Sequence, residues 1–294
     1  MSDRVEVPVP GGSLAAYRLG ASDAGAPVVL AIHGITSSSR IWLATARALG
    51  DRAALIAVDL RGRGRSSGLP GPCGLDAHVR DMIAVLDAFG LERAVIAGHS
   101  LGAYIAARLA TSHADRVERL VLVDGGLTIP ESASVADPTE FIARFLGPTF
   151  ERLAMTFPDL AAYQDWWAQH PAVAAADVRR EDIDAYAAHD LIGTPPHMRS
   201  AIRPEVVRDD ALDLVGEPDA ARLTVAAVLL AAPRGMVDDP NPMQPMADVE
   251  RWAAADPERR RAIPVPDTNH YSIAWGERGA RAVADAVAAA VGMG

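Results

Sequence analysis

The chain has 294 residues, half of them hydrophobic, which allows one large domain or two ordinary ones with an ample core. Its net charge of −10 comes without any basic cluster or aromatic–basic interleaving, which excludes a nucleic-acid surface. No apolar run approaches the roughly 18 residues of a membrane span, and the single cysteine, Cys73, excludes an intrachain disulfide.

Taken in order, residues 4–9 and 13–19 alternate around Pro10-Gly11-Gly12 and predict an antiparallel hairpin. The start, M-S-D-R-V-E-V, lacks a basic-then-apolar signal pattern, so a cytoplasmic location is expected. Val28–Ile32 is a continuous apolar run, the mark of a buried strand, and leads into His33-Gly34-Ile35-Thr36. A helix is expected from about Arg40 to Leu49, with Ser39 as its N-cap. Ala53–Val58 is the next buried strand and ends in Asp59-Leu60-Arg61-Gly62-Arg63-Gly64-Arg65-Ser66, read as structural. A helix follows over 75–89, with apolar positions at Val79, Met82, Ile83, Leu86 and Phe89.

Ala94–Ala97 is a short β-branched strand running into Gly98-His99-Ser100-Leu101-Gly102, after which an alanine-rich helix begins. Strand, sharp turn and helix are the context that makes G-x-S-x-G a nucleophile elbow. Ser100 then stands at the tip, and the Leu101 N–H at the helix start points at any oxyanion formed there. Arg119–Val123 is another buried strand, ending at Asp124. From 127 to 222 no buried strand is expected. This stretch is proline-rich, helical, and holds most of the aromatic residues, among them Trp166 and Trp167. Strands resume at Val225–Ala231, followed by Gly235-Met236-Val237-Asp238, and at Arg261–Val265, followed by Asn269-His270-Tyr271; a last helix runs from about 277 to 291. Strands alternating with helices argue a mainly parallel sheet covered on both faces, with ligands at the carboxyl ends of the strands.

H-G-I-T at 33–36, D-L-R-G-R-G-R-S at 59–66, G-H-S-L-G at 98–102 and N-H-Y at 269–271 together resemble the α/β-hydrolase fold family. The resemblance implies an eight-stranded, mainly parallel sheet, with residues 1–126 and 223–294 as its core and 127–222 as a helical cap between strands six and seven. It also implies a triad in the order serine, acid, histidine. Ser100 needs a base to become nucleophilic, and His270 is the choice among eight histidines, the others outside the motifs having plain solvated readings. Asp124 is the favoured acid; Asp238, with Asp239 behind it, is the alternative, because the acid signature after the seventh strand is displaced. Ile35 and Leu101 are expected to supply oxyanion donors, and Trp166, Trp167, Met236 and Tyr271 to touch substrate.

The function expected is hydrolysis of an apolar ester or lactone through a seryl acyl-enzyme. No metal, cofactor, nucleic acid or membrane is called for, and the oligomeric state stays open, a homodimer included. No cluster of arginines or lysines adjoins the motifs except Arg61, Arg63 and Arg65, so a phosphorylated or polyanionic substrate is not expected. Carbon–carbon bond hydrolysis, cofactor-free oxygen or peroxide chemistry, and a non-catalytic receptor on the same scaffold are the competing readings.

Overall fold

The computed structural model describes residues 4–130, 132 and 137–293. The reading of residues 1–3, and the parts of the helical insertion at 131 and 133–136, lie outside the described residues.

The first half of the chain contributes β1 (Arg4–Val9), β2 (Gly12–Gly20), β3 (Val28–Ile32), α1 (Leu43–Leu49), β4 (Ala54–Val58), α2 (Leu75–Ala88), β5 (Ala94–His99), α3 (Leu101–Ser112) and β6 (Val117–Val123). Then come α4 (Pro138–Phe145), α5 (Gly147–Ala154), α6 (Leu160–Gln169), α7 (Pro171–Ala174), α8 (Arg180–Asp190), β7 (Leu191–Thr194), β8 (His197–Ser200) and α9 (Pro204–Leu212). The chain closes with β9 (Ala226–Ala231), α10 (Met246–Ala254), β10 (Arg260–Pro264), α11 (Ser272–Trp275) and α12 (Glu277–Ala290).

Eight strands form one sheet in the order β1-β2-β4-β3-β5-β6-β9-β10. β2 pairs antiparallel with β1 and with β4, and every other pair is parallel. β3, β4 and β5 are apolar on both faces because both faces are covered. α2, α3 and α10 close one side around Leu30, Ile56, Ile96 and Leu122. α1, α11 and α12 close the other around Val29, Leu55, Val95 and Val121.

One expectation needs correction. The cap at the first helical segment is Ser38, not Ser39: the Ser38 hydroxyl accepts from the Arg40 N–H, and Ser39 already lies in a short 3-10 turn before α1. Between β6 and β9 the chain also makes a two-stranded antiparallel hairpin, β7–β8, at whose turn Pro195 and Pro196 sit. It stands apart from the main sheet and is mostly exposed, so no apolar run announces it.

Candidate active site

The site grows from the carboxyl ends of the central parallel strands. β5 delivers Ser100 with φ 53 and ψ −121, a left-handed turn that L-residues rarely adopt. The turn closes only because its flanks lack side chains. A Cβ on Gly98 would lie 2.2 Å from the Gly102 carbonyl oxygen, and one on Gly102 would lie 2.1 Å from that of Ile32. The strand–serine–helix crossing is therefore bought by two glycines.

β6 ends at Asp124, which is fully buried and also left-handed, with φ 47. Its N–H donates to the Leu230 carbonyl at 2.8 Å, and its Oδ1 accepts from the Ala232 N–H at 3.1 Å. β9 thus fixes the carboxylate from two sides. Oδ2 is left to accept from His270 Nδ1–H at 2.7 Å, while His270 Nε2 faces Ser100 Oγ at 3.0 Å. The bond to Asp124 places the imidazole proton on Nδ1 and leaves Nε2 free to accept the serine proton. The structure brings Ser100, His270 and Asp124 into one hydrogen-bonded line and does not bring Asp238 there. The Asp238 carboxylate accepts from Arg234 Nε at 2.8 Å and from the Asn269 side chain at 3.3 Å. Asp239 instead accepts from the Asn241 N–H.

His99, the variable residue of the elbow, has a part that its position in the motif did not reveal. It is fully buried, and its Nε2–H donates to the His270 carbonyl at 2.8 Å, which anchors the backbone that carries the base. Burial, followed by the nearby His270 ring, pushes its pKa down to about 3, so it stays neutral. His33 plays a matching part on the opposite side. Burial lowers its pKa to about 4. As a neutral ring it donates Nδ1–H to the Gly34 carbonyl at 2.7 Å and accepts the Leu60 N–H at Nε2, 3.0 Å away. In a trans peptide the N–H points opposite to the C=O. Holding the Gly34 carbonyl therefore aims the Ile35 N–H away from His33. Arg63 Nε in turn donates to the Ile35 carbonyl at 3.0 Å. Leu101 is the first residue of α3, so its N–H lies outside the helix ladder. Neither N–H has a backbone acceptor among the described residues.

A narrow cavity of about 30 Å³ opens on Ser100 and His270, lined on its other sides by Ile35, Ile129, Leu146, Leu214 and Met243. A second cavity of about 280 Å³ lies next to it and shares Phe145, Thr149, Met236, Met243 and Tyr271 with the first. Met236 and Tyr271 thus stand where substrate was expected to pass. Trp166 lines the outer cavity, but Trp167 does not. Trp167 is fully buried and packs edge-on against Tyr186 and Trp275, which makes it core. Adjacent helix residues point about 100° apart, so only one of the pair could face the cavity.

The outer wall also carries Arg152 and Arg144, which adjoin no motif in sequence. Both come from α4 and α5, far from every motif in sequence. Three histidines given plain solvated readings are also otherwise engaged: His78 meets Asp210, His189 meets Asp59, and His170 lines the outer cavity.

The serine elbow, Asp124 and His270 at later strand ends, and the sheet order around them are the features of the α/β-hydrolase fold, and this chain has that fold. Residues 27–169 match the family model for that fold. A 104-residue segment is 39% identical to the candidate carbamate hydrolase RutD of Caulobacter segnis. That segment is 35% of this chain, and the chain spans only about two fifths of the relative, 39% of its length. Among solved structures, E-2-(acetamidomethylene)succinate hydrolase superposes with a TM-score of 0.79 at 20% identity, over 99% of this chain and 100% of that one. The thioesterase domain from the curacin biosynthetic pathway gives 0.74 at 19% identity, over 98% and 99%. No helix among the described residues is long and apolar enough to cross a membrane.

Proposed function

We propose that the protein is a serine hydrolase that cleaves an ester or lactone whose reacting part is apolar, through a seryl acyl-enzyme. The observation that carries this reading is the hydrogen-bonded line from Ser100 Oγ through His270 to Asp124. Ser100 Oγ attacks the substrate carbonyl while His270 Nε2 takes its proton. The negative oxygen so formed lies toward the Ile35 and Leu101 N–H groups. His270 then protonates the departing alkoxide, leaving the acyl group on Ser100. Water attacks that acyl group with His270 again as base, and His270 then returns the proton to Ser100 Oγ as the acyl–serine bond breaks and the acid is released. Asp124 holds the His270 tautomer and stabilises the imidazolium. Residues 127–222 act as a cap, because Phe145, Leu146, Thr149 and Leu214 from that stretch roof the cavity over Ser100. We place the protein in the cytoplasm, acting on a small molecule.

The test is hydrolysis of a short para-nitrophenyl ester. Ser100→Ala should fold normally and lose about three or more orders of magnitude in kcat. Near-wild-type turnover by that variant overturns the reading. A carbamate is the second acyl donor to assay, because the curated relatives bear that name and the same serine can attack its carbonyl.

A further inference from the structure

Arg152, on α5, is 4% exposed and lines the outer cavity. Its guanidinium lies over the Trp167 ring, 5.1 Å from the centroid, which holds its plane. A buried arginine is usually matched by a carboxylate in bidentate contact. This protein does that at buried Arg61, which meets Asp81 through two bonds of 2.7 and 2.6 Å. Arg152 has no such partner among the described residues. Its contacts are long and go to neutral oxygens, the Tyr163 hydroxyl and the Thr36 carbonyl, each at 3.3 Å. The nearest carboxylate, Asp190, is 4.0 Å away, and its Oδ2 is taken by the Tyr163 hydroxyl at 2.5 Å.

His170 stands on the same cavity wall. Its Nδ1 accepts the Ala172 N–H at 3.3 Å, so in the neutral ring the proton is on Nε2, a free donor. Burial, then the Arg152 charge, pushes its pKa down to about 4, and the ring is neutral near pH 7. Arg144 adds an exposed positive charge at the rim, while Asp239, half-buried on the opposite loop, adds a negative one.

We infer that the outer cavity is a subsite for a carboxylate carried by the substrate, received by the Arg152 guanidinium with the His170 Nε2–H as second donor. One planar guanidinium suits one carboxylate, and Asp239 on the wall disfavours a dianion such as a phosphate monoester. Because the two cavities share a wall, a substrate with its scissile carbonyl at Ser100 can extend its far end to Arg152. This rests on the hydrolase reading and sharpens it: the apolar stretch lies beside Ser100, and the substrate ends in a carboxylate.

The test compares two esters of similar size, para-nitrophenyl valerate and the para-nitrophenyl monoester of glutaric acid. The wild type should favour the anionic ester by about tenfold or more in kcat/KM, chiefly through KM, as expected of one charge-assisted pair. Arg152→Met should erase that ratio, and Arg152→Lys should restore part of it. A wild type with equal or lower kcat/KM on the anionic ester overturns the subsite, whether or not either variant folds. So does an Arg152→Met enzyme that slows on both esters in the same proportion. If the wild type cleaves neither ester, glutarate binding read from tryptophan fluorescence decides separately. Binding that Arg152→Met abolishes keeps the subsite and removes only the hydrolytic reading; absence of binding to the wild type removes the subsite.

Discussion

Asp124 and Asp238 both follow a strand of the main sheet, yet only one of them is aimed at His270. Asp124 is locked by β9 at its N–H and at one carboxylate oxygen. Asp238 is a quarter exposed and committed to Arg234. Asp124→Asn should therefore cut kcat by on the order of 10⁴, as loss of the oriented tautomer does, and Asp238→Asn should cost far less. Steady-state kinetics of the two folded variants check this, and the reverse order would move the acid to Asp238. At this scale the serine and the histidine were legible because each belongs to a short motif that follows a strand. The position of Asp124 at the sheet edge near Ser100 was legible too, since it ends its strand directly. Arg152 was not: it sits in the middle of an unremarkable helix, and only the tertiary fold carries it to the cavity. The same holds for His99 and His33. Each hydrogen bond they make to the site's backbone depends on loops brought together from distant parts of the chain, or on a peptide plane that no spacing rule reports.

At the level of elements, the elbow stores strain. A non-glycine residue at φ 53, ψ −121 costs on the order of 1–3 kcal/mol. Ser100→Ala keeps that cost, whereas Ser100→Gly relieves it at the expense of about 0.5–1 kcal/mol of backbone entropy. The glycine variant should be more stable than the alanine variant by about 1–2 kcal/mol, read from urea denaturation midpoints, with both inactive. A glycine variant no more stable than the alanine one would mean that the turn is unstrained. The main-sheet strands and the long flanking helices follow the apolar runs closely, since burial on one or two faces leaves a period in sequence. β7 and β8 left none. They are four residues each and mostly exposed, so backbone pairing rather than an apolar face defines them. Trp167 was misplaced for a related reason. Composition put aromatics in the segment between β6 and β9 but could not say which face of α6 met the core.

For the molecule as a whole, three neutral histidines set its response to acid. His33 and His170 have pKa values of about 4, and His99 of about 3, each beneath the ordinary 6.5. Between 6.5 and those values the unfolded chain binds more protons than the native one. Stability is therefore full above about pH 6.5 and falls as pH drops toward 4. His33 alone contributes about 3 kcal/mol across that window. Asp59 and Asp210 extend the loss to lower pH. Burial pushes both carboxyls up, but His189 beside Asp59, and Arg63 and His78 beside Asp210, outweigh it and hold them well below the ordinary 3.8. Tm measured from about pH 7 to about pH 4 should drop by several degrees before the carboxylate range is reached. A Tm that stays level across that interval would show that the histidines are not buried as neutral rings.

Asp210 belongs to α9, on the roof side of the site, while its partners belong to the sheet side. It accepts from the Gly74 N–H at 2.6 Å and from His78 at 3.0 Å, and it pairs with Arg63 at 2.6 Å. Arg63 is the same side chain that grips the Ile35 carbonyl. An engineer who exchanged residues 127–222 for another sequence would thus remove the anion that Arg63 leans on and slacken the loop that carries Ile35. A graft of that kind has to carry its own carboxylate at the position of Asp210, or Arg63 loses its anion and its hold on the Ile35 loop loosens.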